Sequence, residues 1–177
     1  MVYGAINERT REWYTRLGDV FDAIGDEQLR FNWLITDDEI NARSPALEAL
    51  STGSRWKYED GKPVGFPVPA PEYCFLSGEE LTSIVRQDDS QWIWGVLSGF
   101  ERDVPLEEIL KYPLPESDEY KGFWKNPLTL QHPLATVEIV PWDACLVLVM
   151  SRQKELVDRF MAAWPGSRDL REYNESI

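Results

Sequence analysis

Residues that bind transition metals or form disulfides are almost absent from this sequence. It contains one histidine, His132, and two cysteines, Cys74 and Cys145, that are far apart and form no Cys-x-x-Cys pair. Because zinc sites need several such ligands at short spacings, the sequence predicts no metal site. The acidic pairs Asp37-Asp38 and Asp88-Asp89 lack the alternating ligands of a calcium loop, so they are interpreted as turn and cap residues. Both cysteines lie in apolar runs, which favours buried, reduced thiols, although a disulfide remains open if their strands are neighbours.

Long apolar runs and phosphate-binding motifs are missing as well. The longest apolar run, residues 144–150, is too short to span a bilayer, and the residues after Met1 do not form the apolar core of a signal peptide. No glycine-rich turn between a strand and a helix matches a P-loop or a dinucleotide fingerprint. We therefore expect a cytoplasmic protein that binds no membrane and no cofactor.

Positive charge is scarce. The 31 acidic residues outnumber the 18 basic ones, which gives a formal net charge of −13 at pH 7. Nucleic-acid binding depends on clustered lysine and arginine, so this composition argues against a nucleic-acid partner. The same negative field would attract a basic protein or a cationic ligand. It would also keep the protein soluble without any partner, and the sequence does not decide between these two roles.

What the sequence does contain is enough apolar surface for one folded domain. The chain has 177 residues, of which 43% are hydrophobic and 12% aromatic, so it can bury a core without a metal or a disulfide. We predict a single domain over residues 1–177 with two long irregular segments, residues 52–72 and 111–134. The first of these could fold back as a small hairpin turned at Asp60-Gly61.

The order of the periodic segments predicts an α+β fold. Strands separated by helices are followed by two consecutive strands, which favours a mixed, largely antiparallel sheet of about five strands packed with four to five helices. The chain should end in a β-hairpin and a C-terminal helix. That helix is expected to be capped by Ser151 and to stop at Pro165-Gly166, which leaves a polar tail.

Three further elements can be assigned from local patterns. A helix capped by Asn7 is predicted from apolar residues at helical spacing, namely Trp13, Leu17, Phe21 and Ile24. Residues 77–80 form a capping box that should start another helix. Residues 91–100 are apolar on both faces, so they predict a central strand. Three of its side chains are expected to share one face: Trp92, Trp94 and Val96.

Parts of this layout resemble small bacterial proteins. The N-terminal helix, the strand Asn32-Trp33-Leu34-Ile35, the strand-to-helix junction of residues 75–81 and the apolar C-terminal hairpin are similar in order to bacterial domains of unknown function. Some immunity proteins of bacterial toxin systems are likewise small, acidic and α+β. The resemblance covers most of the chain, concerns its layout alone, and implies no catalytic residues.

One pair of carboxylates could support hydrolysis. Glu138 lies among apolar residues, so burial could raise its pKa as a general acid requires, and Asp143 could be the second carboxylate of a glycoside-cleaving site beside Trp142. Alternatively, Glu138 faces outward on an alternating strand and Asp143 stabilises a turn. His132 is the one histidine that could activate a nucleophile, unless it packs or caps within its irregular segment.

Aromatic residues flanked by acids mark both irregular segments and the hairpin turn. Exposed tryptophan and tyrosine often dominate protein interfaces, so these positions suit a surface for a basic partner. The predicted binding residues are Trp56, Tyr58, Glu59, Asp60, Tyr120, Trp124, Trp142 and Asp143. The alternative is that the loop tryptophans fold back over the core. We predict a non-enzymatic protein-binding module of the inhibitor or immunity type; a small hydrolase with paired carboxylates and a small-ligand-binding domain are the alternatives.

Overall fold

A computed structural model describes residues 1–8, 15–42, 44–60, 62–118 and 120–177. Within these ranges the main element is an antiparallel sheet of eight strands. Its strands, from one edge to the other, are β10 (Arg168–Asp169), β1 (Tyr3–Asn7), β9 (Leu146–Ser151), β8 (Val137–Trp142), β7 (Gln91–Glu101), β3 (Phe31–Asn41) and β6 (Tyr73–Ser77), with β2 (Thr15–Arg16) paired to one end of β7. A separate hairpin consists of β4 (Ser54–Glu59) and β5 (Lys62–Pro69).

Six α-helices accompany the sheet in the described part of the chain. They are α1 (Leu17–Ala23), α2 (Pro45–Glu48), α3 (Gly78–Gln87), α4 (Leu106–Ile109), α5 (Lys154–Ala163) and α6 (Leu170–Glu175), and two short 3-10 helices lie at Glu27–Arg30 and Lys121–Trp124. The α+β class and the antiparallel pairing are confirmed. The counts of about five strands and four to five helices were too low, because two-residue strands and one-turn helices are too short to show a period. None of the described helices combines the length and apolar character needed to cross a membrane.

Helices cover one face of the sheet. Strand residues on this face include Trp33, Ile35, Trp92, Val147 and Val149, and the helices contribute Leu17, Phe21, Leu81, Val85 and Phe160. Helices α1 and α5 contact each other, and α5 also packs on β1 and β9. This layer follows the helical apolar stripes of the sequence.

The opposite face is covered mainly by irregular chain, which we call the cover segment (residues 104–118 and 120–135). The strands present Leu34, Val96, Phe100, Val140 and Leu148, and the cover segment packs Ile109, Phe123, Leu128 and Leu130 against them. Helix α6 adds Leu170 to the same cluster. Most of the second predicted irregular segment is therefore a layer of the core, and not a free loop.

Both ends of the chain differ from the sequence prediction. Asn7 belongs to β1, Trp13 lies outside the described residues, and α1 starts at Leu17 without a side-chain cap. Ser151 ends β9, so it does not cap α5. The prediction of a polar tail after Gly166 is wrong, because β10 pairs with β1 and Leu170 of α6 is fully buried.

Two local predictions are confirmed. The Ser77 hydroxyl accepts from the Glu80 backbone N–H at 3.2 Å, and the Glu80 carboxylate accepts from the Ser77 N–H at 2.8 Å, which completes the capping box of α3. Strand β7 lies between β3 and β8 with both faces covered. Capping and two-sided burial depend on short stretches of sequence, which is why both could be predicted.

A double irregularity interrupts the β3–β7 pairing. Thr36 pairs with Val96 and Glu39 with Trp94, so β3 holds one extra residue here, and the next pair, Ile40 with Trp92, leaves one extra residue in β7. These bulges reverse the side-chain alternation. Trp92 points to the helix-covered face while Val96 points to the other, so the prediction that they share a face is wrong.

Candidate functional site

A cavity of about 660 Å³ opens at these bulges, within the size range of ligand-binding pockets. Its lining residues are Asp37, Asp38, Glu39, Ile40, Asn41, Ala42, Glu48, Ser51, Ser54, Pro63, Ile93, Trp94, Ser117 and Asp118. Ser54 and Pro63 come from the β4–β5 hairpin, and Ser117 and Asp118 come from the cover segment. The two predicted irregular segments therefore meet at this cavity.

The cavity is strongly acidic. Five carboxylates line it, and no lysine or arginine is found among its described lining residues. Asp37, Glu39 and Asp118 are exposed, whereas Glu48 of α2 is buried. The concentration of one sign of charge in a recess focuses the electrostatic potential and favours a cation there.

Asp38 is the most unusual of these carboxylates. Its Oδ1 accepts from the backbone N–H of Thr52 at 3.0 Å and from the Thr52 hydroxyl at 2.6 Å. Its Oδ2 is buried and has no hydrogen-bond partner within the described ranges. Burial raises the pKa of Asp38 to about 7, the negative charge of Asp37 acts in the same direction, and the hydrogen bonds from Thr52 oppose both. This carboxyl therefore titrates near neutral pH.

Asp37 joins the cavity to the cover segment. It lies in the left-handed region at φ 48°, and its Oδ2 accepts from the backbone N–H of Ser117 at 2.5 Å. The Ser117 hydroxyl lies 2.8 Å from the same Oδ2 and 2.8 Å from the Asp37 carbonyl oxygen. Ser117 is buried. The bulge is thus held in place by a chain segment far away in sequence.

An aromatic cluster forms one wall of the cavity and extends behind it. Trp94 meets Trp142 edge-to-face with 4.8 Å between ring centroids, and Trp142 also contacts Trp124 at 5.2 Å and Phe123 at 5.7 Å. Tyr120 contacts Phe123 at 4.8 Å. Three predicted binding residues, Tyr120, Trp124 and Trp142, are therefore brought together, each partly buried.

The remaining predicted binding residues lie elsewhere. Glu59 and Asp60 are exposed at the tip of the β4–β5 hairpin, and Asp143 is exposed in the turn between β8 and β9. None of the three lines the cavity. The side chains of Trp56 and Tyr58 lie outside what the structure describes.

Sequence analysis missed the acidic residues at the centre of the site. Asp37 and Asp38 were interpreted as an ordinary turn, whereas they form the β3 bulge. A signal was present, because an acidic pair directly follows an apolar strand and Gly95 interrupts the facing strand. A Cβ atom at Gly95, which has φ +148°, would lie 3.1 Å from the Asp38 Cβ, so glycine permits the close approach of the two strands.

Glu138 is fully buried, so the expectation that it faces outward is wrong. Its carboxylate accepts from the backbone N–H groups of His132 at 2.9 Å and Gln131 at 3.0 Å, with the Ser98 hydroxyl at 3.5 Å. Burial raises the pKa of Glu138 to about 7, against the effect of these hydrogen bonds. It faces inward because the cover segment occupies the side of β8 that an alternating strand would leave to solvent.

His132 is also buried and fully engaged. Its Nε2 lies 3.0 Å from the carbonyl oxygen of Ile109, and its Nδ1 accepts from the backbone N–H of Leu134 at 3.2 Å, which places the ring proton on Nε2. The ring packs edge-to-face against Phe100 at 4.8 Å. Burial lowers its pKa. His132 thus holds parts of the cover segment together.

The structure does not bring Glu138 and Asp143 together. Glu138 lies four positions before the end of β8 at Trp142, or about 13 Å at about 3.3 Å per residue, and Asp143 follows in the turn. The two carboxylates of a glycosidase lie about 5 to 10 Å apart. A glycoside-cleaving pair made of these two residues would need a different geometry.

The described residues include no cluster of three or more histidine, cysteine or acidic side chains arranged to hold a metal ion. Cys74 and Cys145 are not joined by a disulfide bond. Comparison of the chain with models of protein families, with curated proteins and with solved structures found no match.

Proposed function

We propose that this protein is a non-enzymatic binding module that holds a basic protein partner at the acidic cavity. The observation that supports this function best is the composition of the cavity, with five carboxylates and no basic residue among its described lining residues. An inhibitor- or immunity-type role, in which the bound partner is held inactive, is the sharpest form of the proposal.

The charge of the whole molecule favours such a partner. A net charge of −13 attracts a basic protein over long distances and speeds its association. The exposed carboxylates of Asp37, Glu39 and Asp118 then lie where the partner would dock. Exposed charge pairs are screened by salt, so binding should weaken as ionic strength rises.

The positions of the candidate catalytic groups also favour binding over hydrolysis. The polar atoms of Glu138 and His132 hold the cover segment, and the distance along β8 separates Glu138 from Asp143. The cavity, by contrast, has exposed carboxylates at its rim and a partly buried tryptophan in its wall. Such a combination is typical of a polar rim beside an aromatic anchor.

The proposal can be tested by affinity capture from a lysate of the source cells at low and high salt, with identification by mass spectrometry. The wild type is compared with the double variant Glu39→Gln/Asp118→Asn. The control is Glu155→Gln/Glu175→Gln, which removes the same charge from exposed positions on α5 and α6. Captured candidates are purified, and their dissociation constants are measured with all three proteins.

A basic protein that binds the wild type and the control equally, but the cavity variant at least tenfold more weakly, would support the function. We also expect its affinity to fall at high salt. Equal binding by the cavity variant, or capture of no basic protein at either salt concentration, would overturn the proposal.

A further inference from the structure

A continuous path of hydrogen bonds leads from the buried carboxyl group of Glu138 to the cavity. In its first step the backbone N–H of Gln131 donates to Glu138 Oε2 at 3.0 Å. In the second, the side-chain amide of Gln131 pairs with the backbone of Glu116, where Nε2 donates to the carbonyl oxygen at 2.7 Å and Oε1 accepts from the N–H at 3.0 Å. Ser117 follows Glu116 and completes the path through its hydrogen bonds to Asp37, which lines the cavity.

Gln131 is the residue on which this path depends. Its backbone binds Glu138 and its side chain binds Glu116, so a displacement at one end is passed to the other. Because the amide satisfies both the N–H and the C=O of Glu116, it holds that residue from two directions. Ser117 is buried, so the contacts of the chain set its position more than solvent does. Gln131 therefore positions Ser117, and through Ser117 the β3 bulge at Asp37.

The carboxyl group at the start of the path has two states with different hydrogen-bonding capacity. When Glu138 is ionised, its two oxygens accept from the backbone N–H groups of Gln131 and His132. When it is neutral, one oxygen carries a proton and is a weaker acceptor for the N–H that it faces. Burial raises the pKa of Glu138 to about 7, so both states are populated near neutral pH.

The groups that act on Glu138 in the described structure keep their own charge in this pH range. His132 is neutral near pH 7 because burial lowers its pKa. The Arg152 guanidinium is positively charged throughout and favours ionised Glu138. Ser98, which is opposite Glu138 on β7, does not titrate. A change near pH 7 at this end of the path is therefore a change in Glu138 itself.

We propose that the protonation state of Glu138 is transmitted through Gln131, Glu116 and Ser117 to Asp37, so that the core of the protein controls the geometry of the acidic cavity. Gln131 is the positioning residue of this connection and lies outside the cavity. The inference rests on the proposed function for the role of the cavity, but its test uses the protein alone.

The test follows the full-length protein by NMR between about pH 5.5 and 8.5, a range centred on the titration of Glu138. The signals are the side-chain carboxyl carbon of Glu138 and the backbone amides of His132, Glu116 and Ser117. We expect the three amides to titrate with the midpoint of the Glu138 carboxyl carbon. Glu138→Gln should remove this common titration from all three amides.

Gln131→Met separates the transmission from the titration. Methionine has a similar length but cannot form the two hydrogen bonds to Glu116, so the amplitude of the pH-dependent shift at Glu116 and Ser117 should fall by at least about twofold. The His132 amide, which binds Glu138 directly, should titrate as in the wild type. Gln87→Met, at an exposed position on α3, is the matched control and should leave every signal unchanged.

Carboxylates of the cavity add their own titration to the Ser117 signal, and the variants distinguish it. Burial raises the pKa of Asp38 to about 7 as well. The remaining acidic residues that line the cavity beside Asp37 are Glu39, Glu48 and Asp118. Their contribution is common to the wild type and the variants, whereas the contribution from Glu138 is lost in Glu138→Gln and reduced in Gln131→Met.

A Ser117 titration of equal amplitude in the wild type, Glu138→Gln and Gln131→Met would overturn the inference. So would a Gln131→Met effect that displaces the Ser117 signal equally at every pH, because a merely structural role would do that. If Glu138→Gln fails to fold, Gln131→Met decides alone, with its fold checked by circular dichroism. If the path responds but no basic protein is captured, the protein-binding function fails alone; if a basic protein is captured and Ser117 does not respond, the coupling fails alone.

Discussion

Two buried carboxyl groups, Glu138 and Asp38, show how surroundings decide the role of a residue. Burial raises the pKa of both to about 7. Both carboxylate oxygens of Glu138 accept from backbone N–H groups of the cover segment, which makes that residue a structural anchor. Asp38 also lines the cavity, and its Oδ2 is buried without a hydrogen-bond partner among the described residues, so its surroundings leave this carboxyl only partly satisfied.

Replacing Glu138 with glutamine should change how stability depends on pH. The pKa of Glu138 is about 7 in the folded protein against an ordinary value of 4.5, so its contribution is fully present below about pH 4.5 and is lost as the pH rises through about 7. The stability lost between these two pH values amounts to about 3 to 4 kcal/mol, since one pKa unit corresponds to about 1.4 kcal/mol. The Glu138→Gln variant should lack this loss, as measured by urea unfolding between pH 4.5 and 8.

Other carboxylates affect the same curve in the opposite direction. The hydrogen bond from Arg30 lowers the pKa of Glu27, for example, so the stabilising contribution of Glu27 is lost as the pH falls. The difference between wild type and variant removes such shared contributions. Identical pH profiles for the two proteins would show that Glu138 does not titrate in this range.

Residue-level predictions from sequence succeeded where neighbours along the chain decide the outcome. The apolar residues around Glu138 correctly suggested that burial could raise its pKa. Whether it faced inward depended on the cover segment, which packs on β8 but carries no helical or strand period. Asp38 shows the same limit, because Thr52, Asp37 and the β7 bulge together create its environment.

At the scale of elements, features set by neighbouring residues were predicted correctly, whereas the shift in side-chain alternation at the β3–β7 bulges was not. The β7 strand was predicted from apolar residues on both faces, yet this same property hides a bulge, because a strand that is apolar on both faces has no polar–apolar alternation for a bulge to interrupt. The capping box of α3 was predicted because all of its hydrogen bonds lie within four residues. The short helix α6 has only one strongly apolar residue, Leu170, in its first turn and therefore gave no stripe.

The contribution of the capping box to the free energy of unfolding can be measured directly. Ser77→Ala removes the hydroxyl that accepts from the Glu80 N–H, so it should lower the free energy of unfolding by about 1 kcal/mol. Ser83→Ala, at an exposed position inside α3, is the matched control and should cost much less. Urea midpoints that fall equally in both variants would show that the cap contributes little beyond the serine-to-alanine change.

At the scale of the molecule, one sheet carries two unlike layers. Helices with clear apolar stripes cover one face, and the largely irregular cover segment covers the other. The first layer could be predicted from helical periodicity. The second could not, because its apolar residues, such as Phe123 and Leu130, follow no period and are positioned by contacts with the finished sheet.

The two layers should unfold together if each depends on the same sheet. Phe123→Ala on the cover side and Phe160→Ala on the helix side remove equally buried rings, and each should lower the free energy of unfolding by about 3 to 5 kcal/mol. Urea transitions followed by circular dichroism and by hydrogen exchange should coincide in both variants. Early exchange confined to the cover segment in Phe123→Ala would instead reveal an independently opening unit.

The hydrogen bonds between Asp37 and Ser117 connect the cavity to the cover segment. Both residues line the cavity, so binding in the cavity and order in the cover segment are thermodynamically linked. A partner that strengthens these hydrogen bonds would protect the amides of the cover segment from exchange. By the same linkage, a change that destabilises the cover segment would weaken partner binding by the same factor. Binding in the cavity would in this way change the stability of the layer that covers one face of the sheet.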